Sequence, residues 1–183
     1  DLTTNSSQAP ATRTDGSTTS TTYGVTYTPM SYASYGIVNT SEQTSSSGYV
    51  FYQGQVTSPS DMTVTGTATY AGTFYIQGGN QNSYINATGT SNFSVDFSNH
   101  TLNGTLTATR NLDSSAQLPA SSIYLTAALN GNAFSGTNPA TGTVTTGKFF
   151  GPQAAELAGQ FYNSNSTNSL GVPFIGAFGA KKQ

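Results

Sequence analysis

Residues 62–76, MTVTGTATYAGTFYI, place Val64, Gly66, Ala68, Tyr70, Gly72, Phe74 and Ile76 in one phase and mostly threonine in the other. A period of two is the signature of a strand with one buried face. The same rhythm continues outward. Ile85, Ala87, Gly89, Ser91, Phe93, Val95 and Phe97 keep phase up to a Ser98-Asn99-His100-Thr101 turn, and Leu102, Gly104, Leu106 and Ala108 return from it. Ile123, Leu125, Ala127 and Leu129 precede an Asn130-Gly131-Asn132 turn and a short strand around Phe134 and Gly136. The last strands run over about 143–150, 157–163 and 172–181, the final one with Phe174, Gly176, Phe178 and Ala180 on one face. Eight strands joined mostly by hairpins, with no βαβ spacing, predict an all-β, antiparallel up-and-down barrel over 61–183. A barrel of this size has room inside only for side chains, so recurring inward Gly and Ala must alternate with Phe, Tyr and Leu, giving a filled interior. A two-sheet sandwich is the alternative closure.

Composition narrows the function. Only 7% of the 183 residues are charged, against roughly a quarter in ordinary domains, so solubility rests on hydroxyl and amide side chains. That surface suits a secreted or cell-surface protein. Five Lys plus Arg, clustered only at Lys181-Lys182, exclude a phosphate-backbone grip, so no nucleic-acid partner is expected. No apolar run approaches the roughly 20 residues of a spanning helix, so no membrane span of that kind is expected. Without cysteine there is neither a disulfide framework nor thiolate chemistry.

Ahead of the barrel the texture changes twice. Residues 1–20 carry almost nothing large and apolar and read as a flexible leader. Residues 21–60 hold short aromatic-rich strand candidates, TTYGVTYTP, SYASYGIV and SGYVFYQGQV, and read as a small β handle. Within the barrel, GKFFGPQAAELAGQFY (147–162) interrupts the strand pattern. Pro152 suits a first helical turn, Ala154, Ala155, Glu156 and Leu157 favour helix, and Gly159 can stop it. The expectation is one helical turn capping a barrel mouth between two strands.

That segment resembles the G-x-F-Y-G-P-x-A-x-E-x-x-G-x-F motif of the C-terminal barrel of transferrin-binding protein B and its relatives. GTATYAGTF (66–74), NFSVDFSNHTLNGTL (92–106), AALNGNAFSGT (127–137) and GAFGAKKQ (176–183) resemble further motifs of that family in the same order. Thr63 departs from the proline that relatives often carry there. The resemblance implies a secreted or outer-surface protein of a Gram-negative bacterium. It also implies partners in the outer-membrane export machinery and an outer-membrane receptor. Its members include receptors for host transferrin and lactoferrin, complement-regulator binders and haemophilins, which are secreted haem carriers. Anchored relatives carry a lipidated cysteine at the mature N-terminus. None is present here, so either upstream residues carry it or the protein is released.

The short handle on a single barrel resembles the haemophilin plan, which makes haem the expected cofactor and haem acquisition the first functional expectation. Tyr23, Tyr27, Tyr32, Tyr35, Tyr49, Phe51 and Tyr52 are the candidate ligand-binding residues, since haem needs aromatic walls. Each could equally be an ordinary packing residue between handle and barrel. His100, the sole histidine, is the candidate axial ligand, although its place at a hairpin tip also fits a plain surface turn. The alternative expectation is a surface adhesin or receptor that binds a host protein through handle and barrel loops. No nucleophile elbow, paired carboxylates or H-E-x-x-H spacing is present, so no enzyme is expected.

Overall fold

A computed structural model describes all residues except 1–7, 15–19, 42–45, 63 and 81, and only the backbone of 8–14, 20–23, 41 and 46. Thr63 therefore lies outside the described residues. The first sheet is a meander of β1 (Gln8–Thr14), β2 (Ser20–Pro29), β3 (Ala33–Ser41) and β4 (Ser46–Gly54). The barrel follows as β5 (Thr67–Gly79), β6 (Tyr84–Asp96), β7 (Thr101–Asn111), β8 (Ile123–Asn130), β9 (Ala133–Thr137), β10 (Val144–Phe150), β11 (Glu156–Asn163) and β12 (Phe174–Lys182). Each barrel strand pairs antiparallel with its sequence neighbour, and β12 pairs with β5 to close the ring. Closure of this kind removes both edges.

One expectation fails at the N-terminus. Residues 8–14, read as flexible leader, pair antiparallel with β2 as an edge strand. Ladder hydrogen bonds need no large apolar side chain, so composition did not signal it. Pro10 falls where the register shifts between Gln8 and Ala11, the kind of edge position a proline tolerates.

The barrel interior is packed with rings, and the inward glycines have a specific reason. Phe93 pairs across the ladder with Gly104, Phe134 with Gly147, Phe178 with Gly159, and Phe161 with Gly176. A Cβ on Gly104 would lie 2.6 Å from the Phe93 ring, and one on Gly147 would lie 2.2 Å from that of Phe134. The corresponding approaches are 2.7 Å for Gly159 to Phe178 and 2.3 Å for Gly176 to Phe161. Each ring lies flat over a neighbouring backbone that has no side chain, which lets eight strands hold four such rings at close-packed density. Phe178 sits at the centre, with ring centroids 4.9 Å from Phe93, 6.2 Å from Phe134 and 6.3 Å from Phe161.

The helical turn of the Gly-Pro segment is shorter than expected. Only Pro152–Ala154 form a 3-10 turn, and Glu156 and Leu157, expected in a helix, already belong to β11. Gly159, expected as the helix stop, lies in the middle of that strand. Register decides the matter, because Glu156 pairs with Phe150 and Lys181 while Leu157 pairs with Phe149 and Ala180. Ladder pairing on both sides overrides a weak helix propensity. The turn still caps a mouth of the barrel: Ala154 is fully buried among the core residues, and its carbonyl accepts from Tyr70 Oη at 2.7 Å.

His100 adopts a left-handed conformation, φ 56°, in the β6–β7 turn. Asp96 fixes that turn, accepting from the backbone N–H of Asn99 at 2.9 Å, Asn99 Nδ2 at 2.7 Å and the backbone N–H of Ser98 at 3.0 Å. The Asn99 backbone bond, followed by its side-chain bond, holds the carboxyl below its ordinary value. A depressed folded pKa contributes order that is present above the unfolded carboxylate pKa and lost as pH falls through the folded one. Asn99→Ala is therefore expected to move the Asp96 midpoint upward in a carboxyl NMR titration. An unmoved midpoint would show that the Asn99 side-chain bond does not help to set it, the backbone bonds being kept in the variant.

Candidate functional site

Strand register sorts the handle aromatics onto two faces, since residues directly opposite in a sheet share a face. Tyr35 lies opposite Thr28 and Tyr52, and Ile37 opposite Thr26 and Val50; this face looks at the barrel. Gly36 lies opposite Tyr27 and Phe51, and Val38 opposite Val25 and Tyr49; this face looks away.

The inner face is spent on docking. Tyr35, Ala33 and Ile37 are buried against Tyr75, Phe150, Ala158 and Ala177 on the outside of the barrel. The Tyr35 hydroxyl bonds to Thr73 Oγ1, and Tyr75 Oη pairs with Thr28 Oγ1 at 3.0 Å. Burial pushes the Tyr35 phenol above its ordinary pKa. Tyr52 packs at the margin of the same cluster. Tyr32 sits on Gly151, where a Cβ would come within 2.4 Å of its ring, and Gly151 itself has φ 72°.

A carboxylate secures this docking. Glu156, buried at the start of β11, accepts from three successive backbone N–H groups of the β2–β3 turn: Ser31 at 2.8 Å, Tyr32 at 2.9 Å and Ala33 at 3.0 Å. Lys181 Nζ stands 3.9 Å away and is half exposed, so it adds little. The chain leaving the handle is stitched down as well. Thr57 N–H donates to Phe149 O at 2.9 Å, Thr57 Oγ1 to Gly151 O at 2.6 Å, and Asn132 Nδ2 to Thr57 O at 2.8 Å.

The outer face points away from the barrel and carries Tyr27, Phe51, Val25, Val38 and Tyr49, the last 58% exposed. The backbone of Tyr23 continues β2 opposite Thr40, and its side chain lies outside the described residues. Thus the six candidate aromatics whose side chains are described do not converge on one pocket.

His100 joins none of them, since its turn links β6 and β7 whereas the handle rests on β11, β12 and β5. Tyr35 is a poor source of tyrosinate, being buried, hydrogen-bonded and raised in pKa. His100 and Tyr35 therefore do not supply an axial donor beside the handle's outer aromatics, the pairing a haem site needs. Among them no group of three or more His, Asp or Glu could hold a metal ion, and no helix is long and apolar enough to cross a membrane.

Two crevices run along the seam between handle and barrel. One, about 490 Å³, is lined by threonine hydroxyls, Tyr75 and Arg110. The other, about 670 Å³, lies at the far end, where Asn39 and Gly48 of the handle overhang Gln77, Tyr84, Asn86 and Asp113. Sequence reading missed Glu156, Gln77 and Tyr84. Glu156 carried a signal as the lone acid of its segment, whereas Gln77 and Tyr84 had none, because the seam is made by tertiary packing.

A closed eight-stranded barrel with a filled interior and a sheet docked on its outer wall defines an all-β fold without a hollow centre. Residues 62–182 match the model of the C-lobe and N-lobe β-barrels of transferrin-binding protein B, and the chain belongs to that family. Among solved structures it is similar to a point variant of transferrin-binding protein B from Haemophilus parasuis Hp5, with 24% identity and TM-score 0.67, covering 100% of this chain and 39% of that one. It is also similar to the isotype 1 protein from serogroup B Neisseria meningitidis, with 23% identity and TM-score 0.64, covering 98% and 36%. A third similar structure is HpuA from Kingella denitrificans in complex with human haemoglobin, with 16% identity and TM-score 0.62, covering 97% and 72%. The chain thus spans well under half the length of the two transferrin-binding proteins. A comparison with curated protein sequences returned no match.

Proposed function

We propose that this chain is a cell-surface binding domain of a Gram-negative bacterium that engages an iron-carrying host protein of the transferrin kind. Its contact surface is the outer face of the handle. The observation that carries this reading is the sorting of the aromatics: Tyr35, Tyr52 and Tyr32 hold the handle down, which leaves Tyr27, Phe51 and Tyr49 together on a rigidly mounted outer face. Aromatic residues on a pre-organised sheet are the usual anchors of protein interfaces. Family membership supports the choice of partner, and the similarity to a haemoglobin-bound HpuA supports host-protein binding more broadly.

The test is binding of the immobilised chain to iron-loaded transferrin, with haemoglobin in parallel and a haemin titration of the free chain. Saturable transferrin binding without a Soret band is the expected result. A Soret band with neither host protein bound would replace this reading by haem carriage. Tyr49→Ala combined with Phe51→Ala is expected to weaken transferrin binding by about tenfold or more, near 1.4 kcal/mol. Tyr124→Ala, on β8 across the barrel, should leave it unchanged.

A further inference from the structure

The larger seam crevice has a chemistry of its own. On the outer wall of the barrel, Tyr162, Ile175, Gln77 and Asn86 lie directly opposite one another across β11, β12, β5 and β6. Two residues further along β5, Gly79 pairs with Tyr84. The 670 Å³ crevice holds the Tyr84 side of this row, and an adjoining hollow of about 420 Å³ holds the Tyr162 side. The two share Gln77, Gly78, Gly79 and Ile175, so they form one groove with an exposed tyrosine at either end.

Its polar groups are side-chain amides and one carboxylate, with hydrogen-bonding capacity to spare. Gln77 is 8% exposed, sits beneath Gly48 of the handle, and its side-chain amide makes no hydrogen bond among the described residues. Asn86 lines the same crevice as Tyr84, whose phenol pKa is raised by burial and by the nearby Asp113 charge. Asp113 Oδ1 accepts from the backbone N–H and hydroxyl of Ser115 at 2.8 and 2.7 Å, which leaves its second oxygen as an open acceptor. No lysine or arginine lines either half of the groove, so nothing there complements an anion.

We propose that this groove binds a neutral saccharide. A pyranose presents paired hydroxyls that both donate and accept, which planar amides match, and an apolar C–H face that packs on an aromatic ring. The volume suits a short oligosaccharide. This inference rests on the host-protein reading for the source of the sugar, a glycan of the bound glycoprotein, and not for the chemistry of the groove.

The experiment titrates the isotopically labelled chain with lactose, N-acetyllactosamine, chitobiose and maltotriose, with sialic acid as the charged control. In parallel, the immobilised chain is offered transferrin before and after enzymatic removal of its glycans. The expected result is side-chain amide shifts at Gln77 and Asn86 with at least one neutral sugar. These shifts should weaken about tenfold in Tyr84→Ala and survive in Tyr84→Phe, which keeps the stacking ring. Both variants are solvent-facing substitutions, checked by thermal melts. No shift with any neutral sugar at about 10 mM, or shifts unchanged in Tyr84→Ala, overturns the proposal. If transferrin binds equally well without its glycans and no sugar shifts the amides, the saccharide inference fails while the host-protein reading stands. Sugar shifts without transferrin binding would uphold the groove as a saccharide site and overturn the host-protein reading.

Discussion

Phe178→Ala is expected to lower the stability of the protein by about 4 kcal/mol and its melting temperature by about 8–16 °C. Phe178 is fully buried at the centre of the ring cluster, touches the rings of Phe93, Phe134 and Phe161, and lies over Gly159 on the neighbouring strand. The strands around it are locked into a closed ladder, so the wall cannot collapse inward and the cavity stays open. A melting temperature within about 1 °C of the parent would mean that the interior relaxes freely, contrary to a filled barrel.

The glycine partners sharpen the test. At Gly104 a new Cβ meets the Phe93 ring at 2.6 Å, with Leu125 Cβ next at 3.4 Å. Gly104→Ala should therefore destabilise the parent and be largely rescued by Phe93→Leu, a coupling that a double-mutant cycle reads directly. At Gly159 the nearest atom is the Thr146 carbonyl oxygen at 2.4 Å, so shrinking Phe178 cannot relieve Gly159→Ala.

The barrel was legible because its signal is local. Alternation of Phe, Gly, Leu and Thr at period two repeats through every hairpin, and short turns leave little choice of neighbour. From the alternation alone the inward glycines are no more than small residues. Their identity as ring seats depends on cross-strand register, which no single strand encodes. The handle was visible as a unit, but the side each tyrosine faced was not. Tyr75, Ala158 and Ala177 occupy outward phases where Thr or another polar residue is the rule, and the structure buries all three beneath the handle. Those breaks in the outward threonine pattern were the available trace of the docking surface. The haem expectation rested on the resemblance to the haemophilin plan together with the aromatic handle, and the number of aromatics alone does not distinguish rings that hold two sheets together from rings that face a ligand.

Glu156→Ala is expected to release the handle from the barrel while the barrel stays closed. The carboxylate is buried and accepts from three consecutive N–H groups more than a hundred residues away in sequence, so its loss strands the buried Ala33 donor and the partly buried donors of Ser31 and Tyr32. Hydrogen bonds to a charged acceptor contribute about 1.5–3 kcal/mol each. Hydrogen exchange should therefore speed up at Ser31, Tyr32 and Ala33 and along β3, whereas amides of β8, on the far side of the barrel from the handle, keep their protection. Glu156→Gln should fall between the two, since an amide oxygen still accepts while its NH2 confronts a donor. If the handle amides exchange as slowly in Glu156→Ala as in the parent, the apolar cluster around Tyr35 alone holds the two sheets together. Release would also disorder the outer face that carries Tyr49 and Phe51, so the same substitution is expected to abolish host-protein binding without touching a contact residue. That result would tie the buried carboxylate of the Gly-Pro segment to recognition through the rigidity it gives the handle.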